Sequence, residues 1–211
     1  MKNILSEMFQ KMGYEIRKLP FKPHNHNNEY SQITRLLSDN LKPVIFDVGA
    51  HTGKMTKRYK DIFPNAEIHA FEPIPECINQ LKIISKINKN LQCYPYAISS
   101  QKGKKTFYIN RNLSSSSLLT SSIDGRKIWE DQALETVSTI TVECWTLDDF
   151  CLDNNIKNID LLKLDIQGAE LDALKGAEGL LKDKKIGIIY TEISVFQSYQ
   201  NQGAFHHILS L

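Results

Sequence analysis

Asp47 and Glu72 are the first residues of this chain whose type and spacing could do chemistry. Asp47 follows the apolar run Val44-Ile45-Phe46 and begins the small-residue turn Asp47-Val48-Gly49-Ala50-His51-Thr52-Gly53. Glu72 ends a second run, Glu67 to Phe71, roughly 20 residues on, the spacing at which a strand-end acid reaches ribose hydroxyls. The turn lacks the first glycine of the dinucleotide pattern Gly-x-Gly-x-x-Gly, and a carboxylate there would repel a pyrophosphate while suiting a cation. S-adenosylmethionine is such a ligand, with a sulfonium, an amino group and no phosphate. Gly49, Ala50 and Gly53 would let backbone approach it closely, and Thr52 could begin to cap the next helix. Amides and the positive end of that helix would face the ligand. The plain alternative is a nucleotide-like turn that binds nothing.

A second group lies further along. Lys163 and Asp165 alternate near the end of an apolar run and so share one face of a strand. Gln167-Gly168-Ala169-Glu170 follows, and Glu192 ends another run. A lone buried charge is costly, so these residues either pair in a salt-bridge network or line a polar cleft. A divalent cation held by Asp165 and Glu192 is a further alternative, though no cluster demands a metal. His24 and His26 lack a third ligand nearby and read as loop histidines.

Positioning these groups requires strands that end together. Val44 to Phe46 is apolar without alternation, the mark of a parallel strand covered on both faces. A helix over Lys54 to Ile62 follows, stopping before Pro64. Glu67–Phe71, a helix over Pro75 to Asn88 and a third strand over Leu91 to Ile98 complete half of a doubly wound sheet. Lys104 to Asn110 and Val137 to Cys144 alternate like antiparallel strands. Between them, 111–135 is a long loop with a serine-rich stretch, readable as disorder or as a substrate-side lid. Thr146 caps a short helix, Leu147 to Leu152. Ile159 to Asp165 is the fourth core strand, Ala169 to Leu181 a helix, and Ile186 to Ile193 a fifth strand with an open edge. A helix begins at Gln202. Upstream, 1–18 has apolar residues at helical spacing, fitting a packed helix or a membrane-surface one; Pro20 to Asn28 reads as a linker and Tyr30 to Leu41 as a helix. The expected organisation is a helical extension and linker over 1–41 and a ligand-binding domain over 42–211.

The composition suits one soluble α/β domain, at 211 residues with 41% hydrophobic and 24% charged residues. A net charge of +2 gives no argument for nucleic acid or an anionic membrane. Cys77, Cys93, Cys144 and Cys151 are scattered without metal-like spacing, which predicts free thiols in a reducing compartment, the cytoplasm. No run is long enough to span a membrane.

Asp47-Val-Gly-Ala-His-Thr-Gly53, Phe71-Glu72-Pro73, Thr146-Leu-Asp-Asp149, Leu162-Lys-Leu-Asp-Ile-Gln-Gly-Ala-Glu170 and Tyr190-Thr-Glu192-Ile193 together resemble the FkbM family of S-adenosylmethionine-dependent methyltransferases. The resemblance covers roughly residues 42 to 210. It implies a Rossmann-like class I methyltransferase fold and methyl transfer to a hydroxyl of a sugar, glycan or natural product. It also implies that Asp47, Gly49, Ala50, His51, Thr52 and Gly53 hold the methionine part of the cofactor. Glu72 would bind the ribose, with Pro73 and Ile74 on one side of the adenine and Ala97 and Ile98 on the other. Asp165 would lie nearest the donor methyl, among Lys163, Gln167 and Glu170. Asp165 or Glu170 would be the general base, with Lys163 setting the local charge and His51 or His206 as alternates. Family members usually continue into two further strands, so the chain reads as truncated before them, or as having its open edge covered by another copy or a partner. A nicotinamide oxidoreductase and a non-catalytic binding protein are the rival readings.

Overall fold

The computed structural model describes residues 27–129, 132–194, 196–204 and 207–208. The segment 1–18, His24, His26 and His206 lie outside the described residues. The chain divides into two compact units between Ser38 and Asp39. In the first, α1 (Asn27–Leu36) occupies much of the expected Tyr30–Leu41 helix, with Ile33 and Leu37 buried at helical spacing.

The second unit begins with β1 (Val44–Val48), α2 (Lys54–Ile62), β2 (Glu67–Phe71), α3 (Pro75–Ile87) and β3 (Leu91–Tyr94). The short β4 (Tyr96–Ile98) and β5 (Gly103–Asn110) lead through a 3-10 turn and α4 (Ile123–Ile128) to β6 (Thr136–Trp145). Then come α5 (Leu147–Asp153), β7 (Ile159–Leu164), α6 (Glu170–Lys175), α7 (Glu178–Lys182) and β8 (Ile186–Thr191). The main sheet runs β3-β2-β1-β7-β8, with every neighbouring pair parallel. This is the doubly wound order, and the chain reverses direction across the sheet between β1 and β7, where ligands of such sheets bind. Among the described residues β8 pairs on one side only, and Ile189 is 39% exposed there.

Alternation along the strands places helices on both faces. Phe46, Val48, Leu162 and Leu164 pack with Phe150 of α5 and with Leu174, Ala177 and Leu180 near the two helices after β7. On the opposite face Asp47 accepts a 2.6 Å bond from Thr56 Oγ1 of α2. A smaller sheet, β4-β6-β5, is inserted after β3; β5 and β6 are antiparallel, and β4 lies parallel to β6.

Three local expectations change. The third strand is not continuous over Leu91 to Ile98: Pro95 has no N–H for a ladder, and the chain changes sheets there, β3 pairing with β2 and β4 with β6. The helix over Ala169 to Leu181 is broken near Gly176, where a Cβ would stand 2.2 Å from the Ser99 carbonyl oxygen. Asp148 restarts it, accepting from the Gly179 and Leu180 amides at 2.8 and 2.9 Å. Finally, α2 is preceded by Gly53 in a left-handed conformation (φ 84°) without a side-chain cap, so Thr52 does not cap it. Thr146 does cap α5, accepting from the Asp149 amide at 3.0 Å.

The serine-rich stretch is ordered rather than disordered. Ser117 and Tyr108 exchange backbone bonds of 2.8 and 3.1 Å, and Ser115, Ser116 and Ser117 are buried. Ser122 donates from its amide to Ser198 O and from Oγ to Gln197 O, at 2.9 and 2.7 Å, stitching the loop to the segment after β8.

Candidate functional site

Both charge groups converge at the β1–β7 switch point, because Asp47 and Lys163 are direct partners in the parallel ladder. Lys163 Nζ lies 3.1 Å from Asp47 Oδ1 and donates to Gly49 O at 2.9 Å; Asp165 Oδ2 is further off, at 3.7 Å. Burial works against the ammonium, but Asp47 first and then Asp165 outweigh it, so the Lys163 pKa sits above the ordinary lysine value. Asp47 is fully buried and held by Thr56 and Lys163 beneath the turn. It does not line the cavity above.

The turn's conformation is likewise set from within. Gly49 and Ala50 donate to Phe71 O at 3.1 and 3.0 Å, and His51 donates to Glu72 Oε2 at 2.8 Å. Those amides therefore hold the turn against β2 instead of facing a ligand. A Cβ on Gly49 would stand 2.0 Å from Asp165 O, and one on Gly53 would press on Ile84 and Leu81 at 2.6 and 2.8 Å. Both glycines, at positive φ, serve the chain's own close approaches.

Above the turn opens a cavity of about 320 Å³, within the small-ligand range. Of the expected residues, Gly49, Ala50, His51, Thr52, Glu72, Pro73, Ile74, Ala97, Ile98, Lys163 and Asp165 line it; Asp47, Gly53 and Glu170 do not. Glu72 accepts from the His51 and Ile74 amides, at 2.8 and 2.9 Å. Burial is the main cause that raises its pKa to about 7. His51 Nε2 is buried without a hydrogen-bond partner.

At the rim, Gln167 sits between two carboxylates: its Nε2 donates to Asp165 Oδ1 at 2.9 Å and to Glu192 Oε2 at 3.5 Å. Burial, and then Asp165, push the Glu192 carboxyl above its usual pKa. Glu170 turns inward instead, accepting from the Ile166 and Gly168 amides at 3.0 and 3.2 Å. Among the described residues no three His, Cys, Asp or Glu side chains converge as a metal site.

One wall joins the loop that the sequence left readable as a substrate-side lid to an inserted sheet that the sequence did not place at the site. Tyr96, Phe107, Leu113, Ser116 and Leu118 line the cavity from the inserted sheet and the serine-rich loop. Phe107, Ile109, Val142, Cys144, Ala97, Ile74 and Cys77 form a buried apolar cluster, with Leu113 and Leu118 packed against it. The alternation of β5 and the leucines flanking the serines carried that signal.

The family described as Methyltransferase FkbM domain matches residues 47–211. Among curated proteins, 2-O-methyltransferase NoeI of Sinorhizobium fredii (strain NBRC 101917 / NGR234) is 30% identical over 194 residues, covering 90% of this chain and 79% of its own. Methyltransferase sdnD of Sordaria araneosa is 31% identical over 161 residues, covering 64% of this chain and 61% of its own. No solved structure matches the chain.

Proposed function

Because the chain belongs to the FkbM methyltransferase family, we propose that it transfers the methyl group of S-adenosylmethionine to a hydroxyl oxygen of a sugar, glycan or natural product. The observation that carries this reading is the charge of the cavity wall. The rim carboxylates Asp165 and Glu192, joined by Glu72 above its pKa of about 7, stand against Lys54 and a Lys163 already neutralised by the buried Asp47. Such a wall favours a cationic nucleoside over a pyrophosphate.

The residues fit that cofactor. Glu72 has two acceptor positions beyond those filled by the His51 and Ile74 amides, one for each ribose hydroxyl. Ile74, Ala97 and Ile98 give an apolar slot for a flat base. His51 lines the cavity with a buried Nε2 that has no hydrogen-bond partner. No described helix is long and apolar enough to cross a membrane. The four cysteines are free, as a reducing compartment keeps them, and the reading extends to a cytoplasmic enzyme.

When bound, the sulfonium supplies an electrophilic methyl carbon. The chain's task is to hold an acceptor oxygen in line with it and to remove the proton, contributions worth ~7 kcal/mol or more for positioning and roughly 10²–10⁴-fold for the base. Asp165 is the base: Gln167 fixes its Oδ1 at 2.9 Å, while Oδ2, paired with Lys163 Nζ at 3.7 Å, keeps its hydrogen-bonding capacity for the acceptor hydroxyl. Lys163 maintains the turn through Asp47 and Gly49, and Glu170 maintains the 166–168 bend.

The test is a thermal shift with S-adenosylhomocysteine or NAD, since a ligand that binds only the folded state raises the melting temperature. A shift with S-adenosylhomocysteine alone is expected. A shift with NAD alone, or with neither, overturns the proposal.

A further inference from the structure

A second, shallow cleft adjoins the cavity and shares Gln167 and Glu192 with it. Its outer wall is Trp129, with Ser194, Ser198 and Gln202 beside it. Trp129 is 50% exposed, yet its ring is fixed: the indole N–H donates to Ser198 Oγ at 3.2 Å. Its backbone N–H donates to Gly125 O at 3.0 Å, and Gly125 itself has no room for a Cβ, which would stand 2.3 Å from Ser198 O. With its N–H engaged internally, the indole offers a ligand its ring, not a donor.

The far side of the cleft is polar and equally held. Tyr199 Oη has one proton, which it donates to Ser115 O at 2.7 Å or shares with Gln167 Oε1 at 3.1 Å, and it backs Gln167 while the amide nitrogen faces Asp165 and Glu192. The cleft encloses only about 30 Å³, enough for a hydroxyl-sized group. A larger ligand must therefore lie across its mouth. An aromatic face on one side, with a carboxylate and an amide on the other, suits a saturated ring that has C–H bonds on its face and hydroxyls on its edge.

We propose that this cleft is the acceptor subsite: a pyranose ring of a saccharide lies on Trp129 and presents one hydroxyl past Gln167 and Glu192 to Asp165. The proposal rests on the methyltransferase reading, and it assigns Trp129, Gln167 and Glu192 as the residues that select the acceptor. The hydroxyl oxygen forms a bond to the methyl carbon as the carbon–sulfur bond breaks; the proton passes to Asp165, and the neutral thioether leaves.

The chain has two tryptophans, so Trp145→Phe makes Trp129 the sole reporter of indole emission. That variant, saturated with S-adenosylhomocysteine, is titrated with methyl gluco-, galacto- and mannopyranosides, their disaccharides, and catechol. At least one saccharide should change the Trp129 emission saturably, and catechol should not. With that saccharide and labelled S-adenosylmethionine, Trp129→Ala in the otherwise native chain should raise KM roughly tenfold or more while kcat stays within about twofold, and Trp129→Phe should recover most of the loss. A merely structural role would lower kcat and stability together. If S-adenosylhomocysteine gives no thermal shift, the methyltransferase reading falls and the subsite with it. If the shift is present but no saccharide alters the emission, or KM is unchanged in Trp129→Ala, the subsite alone is overturned.

Discussion

The floor of the cavity and its rim contain the same kinds of residue and treat them in opposite ways. On the floor, Asp47 and Lys163 are buried and pair at 3.1 Å, and the glycines serve internal approaches. At the rim, Asp165 and Glu192 are partly exposed and share one amide, Gln167. An acid whose neighbours are all backbone or buried cation is part of the scaffold. An acid that is partly exposed, with a hydrogen bond on only one oxygen, is equipped to act on something else. The motif residues thus divide by burial, not by their distance from the turn.

The largest effects should come from crossing the two regions. Lys163→Met leaves Asp47 buried with only the Thr56 hydroxyl, and should cost about 3–5 kcal/mol in urea unfolding. Adding Asp47→Asn should restore much of that loss, because the orphaned charge is gone. Asp165→Asn should change stability by no more than about 0.5 kcal/mol while lowering methyl transfer roughly 10²–10⁴-fold with S-adenosylhomocysteine binding intact. A stable Lys163→Met protein, or an Asp165→Asn protein with full turnover, would erase the distinction between floor and rim.

Glu72 sharpens the comparison, because it is buried like the floor yet lines the cavity. Its folded pKa is raised from 4.5 to about 7, chiefly by burial. A raised folded value means stability is fully present below pH ~4.5 and is lost as pH climbs through about 7, by about 3 kcal/mol in all. His69 works the other way: burial lowers its pKa, so its contribution falls away as pH drops below 6.5. The difference between wild type and Glu72→Gln isolates the carboxyl, and that difference should grow from pH 4.5 to 7 in the ligand-free protein. A flat difference would mean that Glu72 is charged in the fold and belongs with the rim.

Much of the scaffold was legible because its signals are local. The uninterrupted Val44-Ile45-Phe46 run, the proline after α2 and Thr146 before α5 each act within a few residues. The pairing of Lys163 with Asp47 was not legible. Alternation joins Lys163 to Asp165, whereas the stronger partner comes from the register of a parallel ladder between strands distant in sequence. The same limit hid the part of the wall built by Phe107, and hid the role of Gly176, which depends on the Ser99 carbonyl. Serine-rich composition left disorder open beside a substrate-side lid because low complexity says nothing of partners such as Ser198, supplied from far along the chain.

Glu170 gives the smallest and most diagnostic expectation. Its Oε1 accepts from Ile166 and Gly168 at 3.0 and 3.2 Å, holding a bend in which Gln167 and Gly168 have φ of 56° and 94°. Burial raises its pKa above the usual carboxylate value, so a neutral side chain with the same acceptor oxygen should serve nearly as well. Glu170→Gln should therefore keep stability within about 1 kcal/mol and kcat within roughly threefold. Glu170→Ala removes the acceptor from two amides and should cost about 1–3 kcal/mol, with a loss of rate because the bend that carries Gln167 and Asp165 relaxes. If Glu170→Gln instead loses turnover on the scale of Asp165→Asn while its urea midpoint is unchanged, the carboxylate works at the reacting atoms, and burial no longer tells scaffold from chemistry here.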